Sequence, residues 1–98
     1  MSVVFTRTGT PLPGKQAAAF EFLKNRVAYV NEAYGLKAEL HVRFGGPLGQ
    51  VVMVSHHANL QELEDIKRRV IADSTAGKMP AYNDALFSHV EDAVWLTK

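Results

Sequence analysis

The sequence contains no cysteine, and this absence excludes several kinds of chemistry at once. A chain without thiols forms no disulfides, binds no metal through thiolates and has no cysteine nucleophile. An excess of charge is also missing, because 11 Lys and Arg residues against 10 Asp and Glu residues give a formal net charge of +1. This balance indicates neither a nucleic-acid partner nor an anionic membrane surface.

Long apolar runs are absent as well. No segment approaches the roughly 20 apolar residues that a transmembrane helix requires, and residues 1–9 lack the charged leader and apolar core of a signal peptide. We therefore expect a cytoplasmic protein with no membrane partner. The 98 residues, of which 47% are apolar, suit a single domain over 1–98, at a size where a second subunit often completes a modest core.

Four short segments predict strands, through β-branched and aromatic residues or, in the second of them, through strict alternation of apolar and polar residues. They cover residues 2–8, 37–44, 50–56 and 89–97. The Gly-rich connection 45–49 is typical of a hairpin, so the second and third strands should be antiparallel neighbours. Before the last strand, Pro80 is expected to open a short helix that continues through Phe87.

Two longer segments place apolar residues at steps of three and four, which predicts amphipathic helices. The first covers residues 15–34 and stops at Gly35. The second begins after Asn59, whose spacing to Glu62 resembles a capping box, and breaks at Gly77. The predicted apolar stripes are Phe20, Leu23, Val27, Val30 and Tyr34 in the first helix and Leu60, Leu63, Ile66 and Val70 in the second.

The order of these elements, β-α-β-β-α-β, predicts an α+β subunit of the ferredoxin-like type, with an antiparallel sheet and both long helices on one face. In such a sheet the first and third strands are central. Both are apolar at odd and even positions alike, as Val3 and Val4 or Val51 and Val52 illustrate. A strand that is apolar on both sides needs cover on both sides. We therefore expect the face without helices to pack on a second copy of the chain, forming a homodimer through the sheet.

Three features resemble a known group of proteins. They are the sequence HHANLQELE at 56–64, the broken second helix and the ending VEDAVW at 90–95. In these the chain is similar to NIPSNAP-like proteins of the dimeric α+β barrel superfamily, and the resemblance extends over essentially the whole chain. It implies two ferredoxin-like subunits packed sheet against sheet. Relatives in the superfamily include cofactor-independent monooxygenases acting on aromatic polyketides, haem-degrading enzymes, muconolactone-type isomerases and stress-response proteins, so the resemblance assigns no catalytic residue.

The second predicted strand alternates without interruption between apolar and polar residues. Its polar row contains Glu39, His41 and Arg43, which could line a cavity between the two sheets of a dimer. There His41 could remove a proton and Arg43 could hold a carboxylate or enolate, so these two are the candidate catalytic residues. In the alternative interpretation the row is solvated or forms contacts at the rim between subunits.

Further residues could border such a cavity. The expected ligand-binding residues are Glu39, Arg7, Met53, Ser55 and Trp95. Trp95 could equally be a core or dimer anchor, because indole buries a large area. No cofactor or metal is expected, although haem iron remains an alternative since imidazole is a strong ligand. His56 and His57 are adjacent on a strand and should point to opposite faces, which argues against a shared ion.

Residues 9–16, with the sequence GTPLPGKQ, nearly match the phosphate-binding loop G-x-x-x-x-G-K-[ST] between a strand and a helix. Gln16 replaces the hydroxyl that would hold magnesium. Pro11 and Pro13 remove two backbone donors that would contact phosphate, and the predicted sheet is antiparallel. We therefore expect an ordinary loop.

Three hypotheses for function follow. The protein could be an enzyme, a cofactor-independent monooxygenase or isomerase, that acts on a small apolar or aromatic carbonyl or carboxylate compound in the inter-sheet cavity. It could instead be a non-catalytic ligand-binding or stress-response dimer that uses the same cavity. In a third, structural version, Phe5, Met53 and Trp95 fill the space. Enzyme and binder both require a cavity lined by Glu39, His41 or Arg43, whereas the structural version requires that space to be filled.

Overall fold

The structure, a computed structural model, describes residues 2–45, 49–79 and 84–98, and in these the predicted order of elements is confirmed. The main elements are β1 (Val3–Pro11), α1 (Gln16–Tyr34), β2 (Glu39–Val42), β3 (Val51–His57), α2 (Leu60–Thr75) and β4 (Phe87–Leu96), with a 3-10 turn at Asp84–Leu86. The strands form one antiparallel sheet in the order β2-β3-β1-β4. β1 and β3 are therefore the central strands, and β2 and β3 are antiparallel neighbours, as predicted.

Both helices pack on the same face of this sheet, which we call the helix face. Val3 and Phe5 of β1 are buried there with Leu63 of α2, while Val51 of β3 is buried with Ala19 and Leu23 of α1. Burial of each large apolar side chain contributes about 1.5–3 kcal/mol. The opposite side, which we call the open face, carries the alternate residues of every strand. Neither α1 nor α2 packs on it.

The buried stripe of α1 differs from the predicted one. Its buried residues are Ala19, Leu23, Arg26 and Val30, whereas Phe20 is exposed. Ala19 packs in the core cluster with Val51 of β3, and the next residue, Phe20, lies on the more exposed side of the helix. The predicted end is confirmed, because Gly35 has φ +69°, a left-handed conformation that glycine adopts without a steric penalty.

The predicted cap of α2 is also found. The Asn59 side-chain oxygen accepts a hydrogen bond from the Glu62 backbone N–H at 2.9 Å. The Glu62 carboxylate accepts one in return at 3.2 Å, but from the N–H of Ala58 and not from that of Asn59. Leu60, predicted to lie in the buried stripe, is exposed.

The chain before β4 departs from the prediction. Residues 80–83 of the expected short helix lie outside the described residues, and Phe87 belongs to β4 instead of ending a helix. Phe87 is paired with Pro11 beyond a register shift in β1. Its ring lies against Gly9, where an added Cβ would come within 2.9 Å of the ring. β1 therefore continues to Pro11, through part of the segment that resembles a phosphate-binding loop.

β2 is shorter than the predicted strand over 37–44. Ahead of it, the Asn31 side chain donates to the Ala38 carbonyl at 3.1 Å and accepts from the Ala38 N–H at 2.8 Å. These bonds occupy both backbone groups of Ala38, so it takes no place in the sheet and is instead buried beneath α1. The two helices are joined nearby, where Asp73 accepts hydrogen bonds from the hydroxyls of Tyr29 and Tyr34 at 3.0 and 2.6 Å.

Candidate ligand-binding site

The sheet register separates the predicted site residues into two groups. Arg7 pairs with Met53 and Phe5 pairs with Ser55, so Arg7, Met53 and Ser55 share the helix face with the buried Phe5. The predicted residues on the open face are Glu39, His41, Arg43 and Trp95. Side chains alternate along a strand, and a ligand on one face does not reach the other. The seven residues therefore do not line one common cavity.

The open-face group is loosely arranged. His41 Nε2 lies 3.6 Å from Glu39 Oε2, and both side chains are more than half exposed. Arg43 donates to the Gln50 side chain at 2.8 Å. His41, Arg43 and Gln50 border a shallow basin of about 420 Å³ that also includes Thr8. Trp95 is 60% exposed, and its Nε1 donates to Thr6 Oγ1 at 3.4 Å.

The helix face contains a more enclosed site than the open face does. A cavity of about 180 Å³ lies between the sheet and both helices, and we call it the helix–sheet cavity. An engineered apolar cavity of about 150 Å³ holds a benzene molecule, so this one has room for a single ring. It extends to the surface along α2, where the exposed Ile71 forms part of its wall. Its apolar lining includes Phe5, Val30, Leu36, Met53, Leu63, Ile66 and Val70.

A buried serine and histidine form one side of this cavity. Ser55 Oγ and His57 Nε2 are 2.8 Å apart, and the His57 side chain is only 1% exposed. His57 Nδ1 lies 3.8 Å from Glu62 Oε1 and makes no hydrogen bond with any residue that the structure describes. Burial lowers the pKa of His57, the Glu62 carboxylate opposes this, and His56 lowers it further. His57 is therefore neutral at pH 7.

Two guanidinium groups border the same cavity. Arg7 makes a bidentate pair with Asp92, at 2.7 and 2.9 Å, and these hydrogen bonds lower the pKa of Asp92. Arg26 is buried, which lowers its pKa, and the charge of Arg7 lowers it further. Asp92 already pairs with Arg7, and an anion bound beside Arg26 would offset the cost of burying the charge of that guanidinium. Lys67, also in the lining, lies with its Nζ 4.8 Å from the centre of the Phe5 ring.

Sequence reasoning missed His57 as a site residue. The expectation that His56 and His57 point to opposite faces is confirmed, since His56 is exposed and His57 is buried. A signal was present in the sequence, because His57 and Ser55 share the parity of the buried Val51. A polar residue in an otherwise apolar row needs a buried partner, and each of these two supplies it for the other.

Neither a metal site nor a membrane-spanning helix is found among the described residues. Over 2–45, 49–79 and 84–98, no group of three or more His, Asp or Glu side chains is arranged to hold a metal ion. Neither α1 nor α2 combines the length and the apolar character that crossing a membrane requires.

Solved structures share this fold over nearly the whole chain. One is a NIPSNAP family protein from Agrobacterium tumefaciens, with a TM-score of 0.81 and 19% identity, covering 100% of this chain and 94% of that one. Another is an uncharacterised NIPSNAP domain protein from Burkholderia xenovorans, with a TM-score of 0.78 and 15% identity, covering 98% and 94%. A NIPSNAP-like domain protein from the same organism has a TM-score of 0.74 and 14% identity, covering 99% and 85%.

No family model matches the sequence, and no curated protein matches it. At these identities the similarity to the solved structures establishes a shared fold. It confirms the predicted resemblance to NIPSNAP proteins at that level, and it supplies no activity.

Proposed function

We propose that the protein binds a compact apolar compound bearing a carboxylate or carbonyl group in the helix–sheet cavity, and that it does so as a homodimer. The observation that carries the ligand proposal is the combination of an apolar lining with buried polar groups in one cavity. Such combinations are typical of small-molecule sites, where apolar walls supply affinity and a few polar groups fix orientation.

The size and charge of the cavity select the ligand. A volume of about 180 Å³ suits one aromatic ring with a short substituent. The guanidinium of Arg26 suits a carboxylate on that ring, because hydrogen bonds between two ionised groups are stronger than those between neutral groups. Benzoate is therefore the natural probe, and benzyl alcohol is its uncharged counterpart.

The ligand proposal is tested by calorimetric titration of benzoate and benzyl alcohol into the wild-type protein, Arg26→Met and Arg43→Met. Arg43 lies on the open face, so its replacement removes the same charge without touching the cavity. We expect Arg26→Met to lower the benzoate affinity on the order of 10- to 100-fold, the equivalent of one hydrogen bond to a charged group, and to leave benzyl alcohol binding unchanged. Arg43→Met should bind both as the wild type does. The proposal fails if neither compound binds, or if Arg43→Met loses as much affinity as Arg26→Met.

The proposed dimer uses the open face. Support comes from apolar side chains on this face, which no helix in the described part of the chain covers: Val4, Val52, Val54, Ala93 and Trp95. A twofold axis would pack this patch against the same patch of a second subunit. An interface of ordinary size buries about 1,200–2,000 Å² in total.

Light scattering during size exclusion tests this assembly with a matched pair of substitutions. Val54→Glu places a carboxylate on the open face of a central strand, and we expect a monomer. Val94→Glu makes the same change on the other side of the edge strand β4, where Val94 is partly exposed, and we expect a dimer. A monomeric wild type, or a Val54→Glu variant that remains dimeric, contradicts the proposal.

A second candidate function is catalytic and uses the open face. In it, His41 removes a proton and Arg43 steadies the anion in a cofactor-independent oxygenation or isomerisation. Its support is the basin that both residues border, which a second subunit would cover. His41→Ala should abolish turnover in this version, whereas it should leave benzoate binding in the helix–sheet cavity unchanged.

A further inference from the structure

Ser55, His57 and Glu62 lie in the order that an activated nucleophile requires. The hydroxyl contacts the imidazole at 2.8 Å, and the far ring nitrogen faces the carboxylate at 3.8 Å. Ser55 and His57 both border the helix–sheet cavity. In nucleophilic catalysis, a hydroxyl is activated by a base that a third group orients, and separations in unliganded proteins are often longer than in the reacting complex.

The carboxylate decides which ring nitrogen carries the proton. Glu62 is an acceptor when ionised, so it favours a proton on His57 Nδ1. His57 Nε2 is then an acceptor, and Ser55 must be the donor in their hydrogen bond. This arrangement makes His57 the base and Ser55 the group whose proton it takes.

Glu62 is itself held in place. Its other carboxylate oxygen accepts the N–H of Ala58 at 3.2 Å, and its backbone N–H is bound by the Asn59 cap. The first turn of α2 therefore fixes the carboxylate beside the imidazole ring. Glu62 orients His57 and does not itself contact Ser55, so it is a positioning residue.

We propose that Ser55 is a nucleophile activated by His57, and that the protein hydrolyses a small ester through an acyl-serine intermediate in the helix–sheet cavity. This inference rests on the proposed ligand function, because the compact acid that the cavity binds is then the acyl product. The substrate class is an ester of a single-ring or similarly compact carboxylic acid.

The proposed reaction has two balanced steps. Ser55 Oγ forms a bond to the ester carbonyl carbon while its proton passes to His57 Nε2; the carbon–oxygen bond to the alcohol then breaks, and the alcohol leaves with that proton. In the second step a water oxygen attacks the acyl carbon and gives its proton to His57 Nε2. The bond to Ser55 Oγ breaks, Oγ takes the proton back, and the acid is released. The guanidinium groups that border the cavity can stabilise the negative charge that develops on the carbonyl oxygen.

Phenylmethanesulfonyl fluoride tests the nucleophile, because it carries one ring and forms a stable bond to activated serines. Labelling is followed by intact mass and peptide mapping in the wild type, Ser55→Ala, His57→Gln and Ser88→Ala. Ser88 is an exposed serine elsewhere in the sheet and serves as the control. We expect one adduct, located on Ser55, in the wild type and in Ser88→Ala. His57→Gln should label on the order of 100-fold more slowly, as the loss of a general base predicts.

Labelling of Ser55→Ala to the wild-type extent, or equal labelling rates in His57→Gln and the wild type, would overturn the inference. If no adduct forms but benzoate still binds, the nucleophile is refuted and the proposed ligand function stands. If no adduct forms and benzoate does not bind, both are refuted.

A pH profile of labelling keeps the inference testable should His57→Gln fail to fold. Only neutral His57 accepts the serine proton, so the wild-type rate should rise with pH through the pKa of His57. Glu62 from α2 raises that pKa, whereas burial and the adjacent His56 of β3 lower it. The other charged groups of the cavity wall are Arg7, Arg26 and Lys67. Glu62→Gln should therefore move the midpoint to lower pH. A midpoint that stays in place would overturn the role of Glu62.

Discussion

The two faces of this sheet carry polar residues in very different settings. On the open face, Glu39 and His41 are more than half exposed and lie 3.6 Å apart. On the helix face, Ser55 and His57 are buried and lie 2.8 Å apart. Water can satisfy an exposed group in many orientations, whereas a buried group needs a fixed partner. A polar residue in an otherwise apolar, buried row of a strand therefore indicates a binding site better than a row of exposed polar residues does.

The largest expected effect concerns the packing that closes the helix–sheet cavity. Leu63 of α2 is buried against Val3 and Phe5, and Leu63→Ala should lower the free energy of unfolding by about 2–5 kcal/mol. Leu60 is one turn earlier on the same helix and is exposed, so Leu60→Ala should cost less than about 1 kcal/mol. Urea denaturation measures both. Equal losses would show that α2 does not pack on the sheet through Leu63.

A smaller effect is expected from the polar partners inside the cavity. Ser55→Ala removes the only described partner of His57 Nε2, and leaving a buried group unsatisfied costs about 1–3 kcal/mol. Ser88→Ala is the control, because Ser88 donates to the Thr10 carbonyl at an exposed position, and it should cost about 0.5 kcal/mol or less. Urea denaturation at pH 7.5 compares the two variants. A loss in Ser88→Ala that matches the loss in Ser55→Ala would contradict the contrast between a buried and an exposed hydroxyl.

The smallest predicted effect is a dependence of stability on pH. Because the pKa of His57 is lowered in the folded protein, the unfolded chain binds the proton first as the pH falls below about 6.5. The free energy of unfolding should therefore decrease as the pH falls from that value through the lowered pKa. His57→Gln should show a smaller decrease between pH 7.5 and pH 5.5 than the wild type, since the other histidines are common to both. The same decrease in both proteins would contradict the burial of His57.

Much of the fold could be predicted from the sequence because it depends on local patterns. The Asn59 cap, the Gly35 end of α1 and the central position of β1 and β3 all follow from spacing and residue type. The exposure of Phe20 and the inclusion of Phe87 in β4 could not be predicted this way. They depend on which side of α1 packs on the sheet and on the space above Gly9 that the Phe87 ring fills. Both are properties of the packed layers.

The candidate site was harder to predict because it depends on which face of the sheet each side chain occupies. Arg7 and Ser55 were expected to share a cavity with Glu39 and His41, yet they lie on opposite faces. A shift of one residue in a strand exchanges its two faces, and apolar residues at both parities of β1 gave no means of choosing. In the structure, the register of β1 with β3 and the position of α2 determine which residues of β1 face the helices.

Methyl NMR with added benzoate tests the central claim, that the helix–sheet cavity is the binding site, most directly. Val30, Ile66 and Val70 report on the cavity, while Val52 and Val54 report on the open face. We predict saturable shifts of the Val30, Ile66 and Val70 methyl signals, with the Val52 and Val54 signals unchanged. Shifts confined to Val52 and Val54 would place the ligand on the open face and contradict the account.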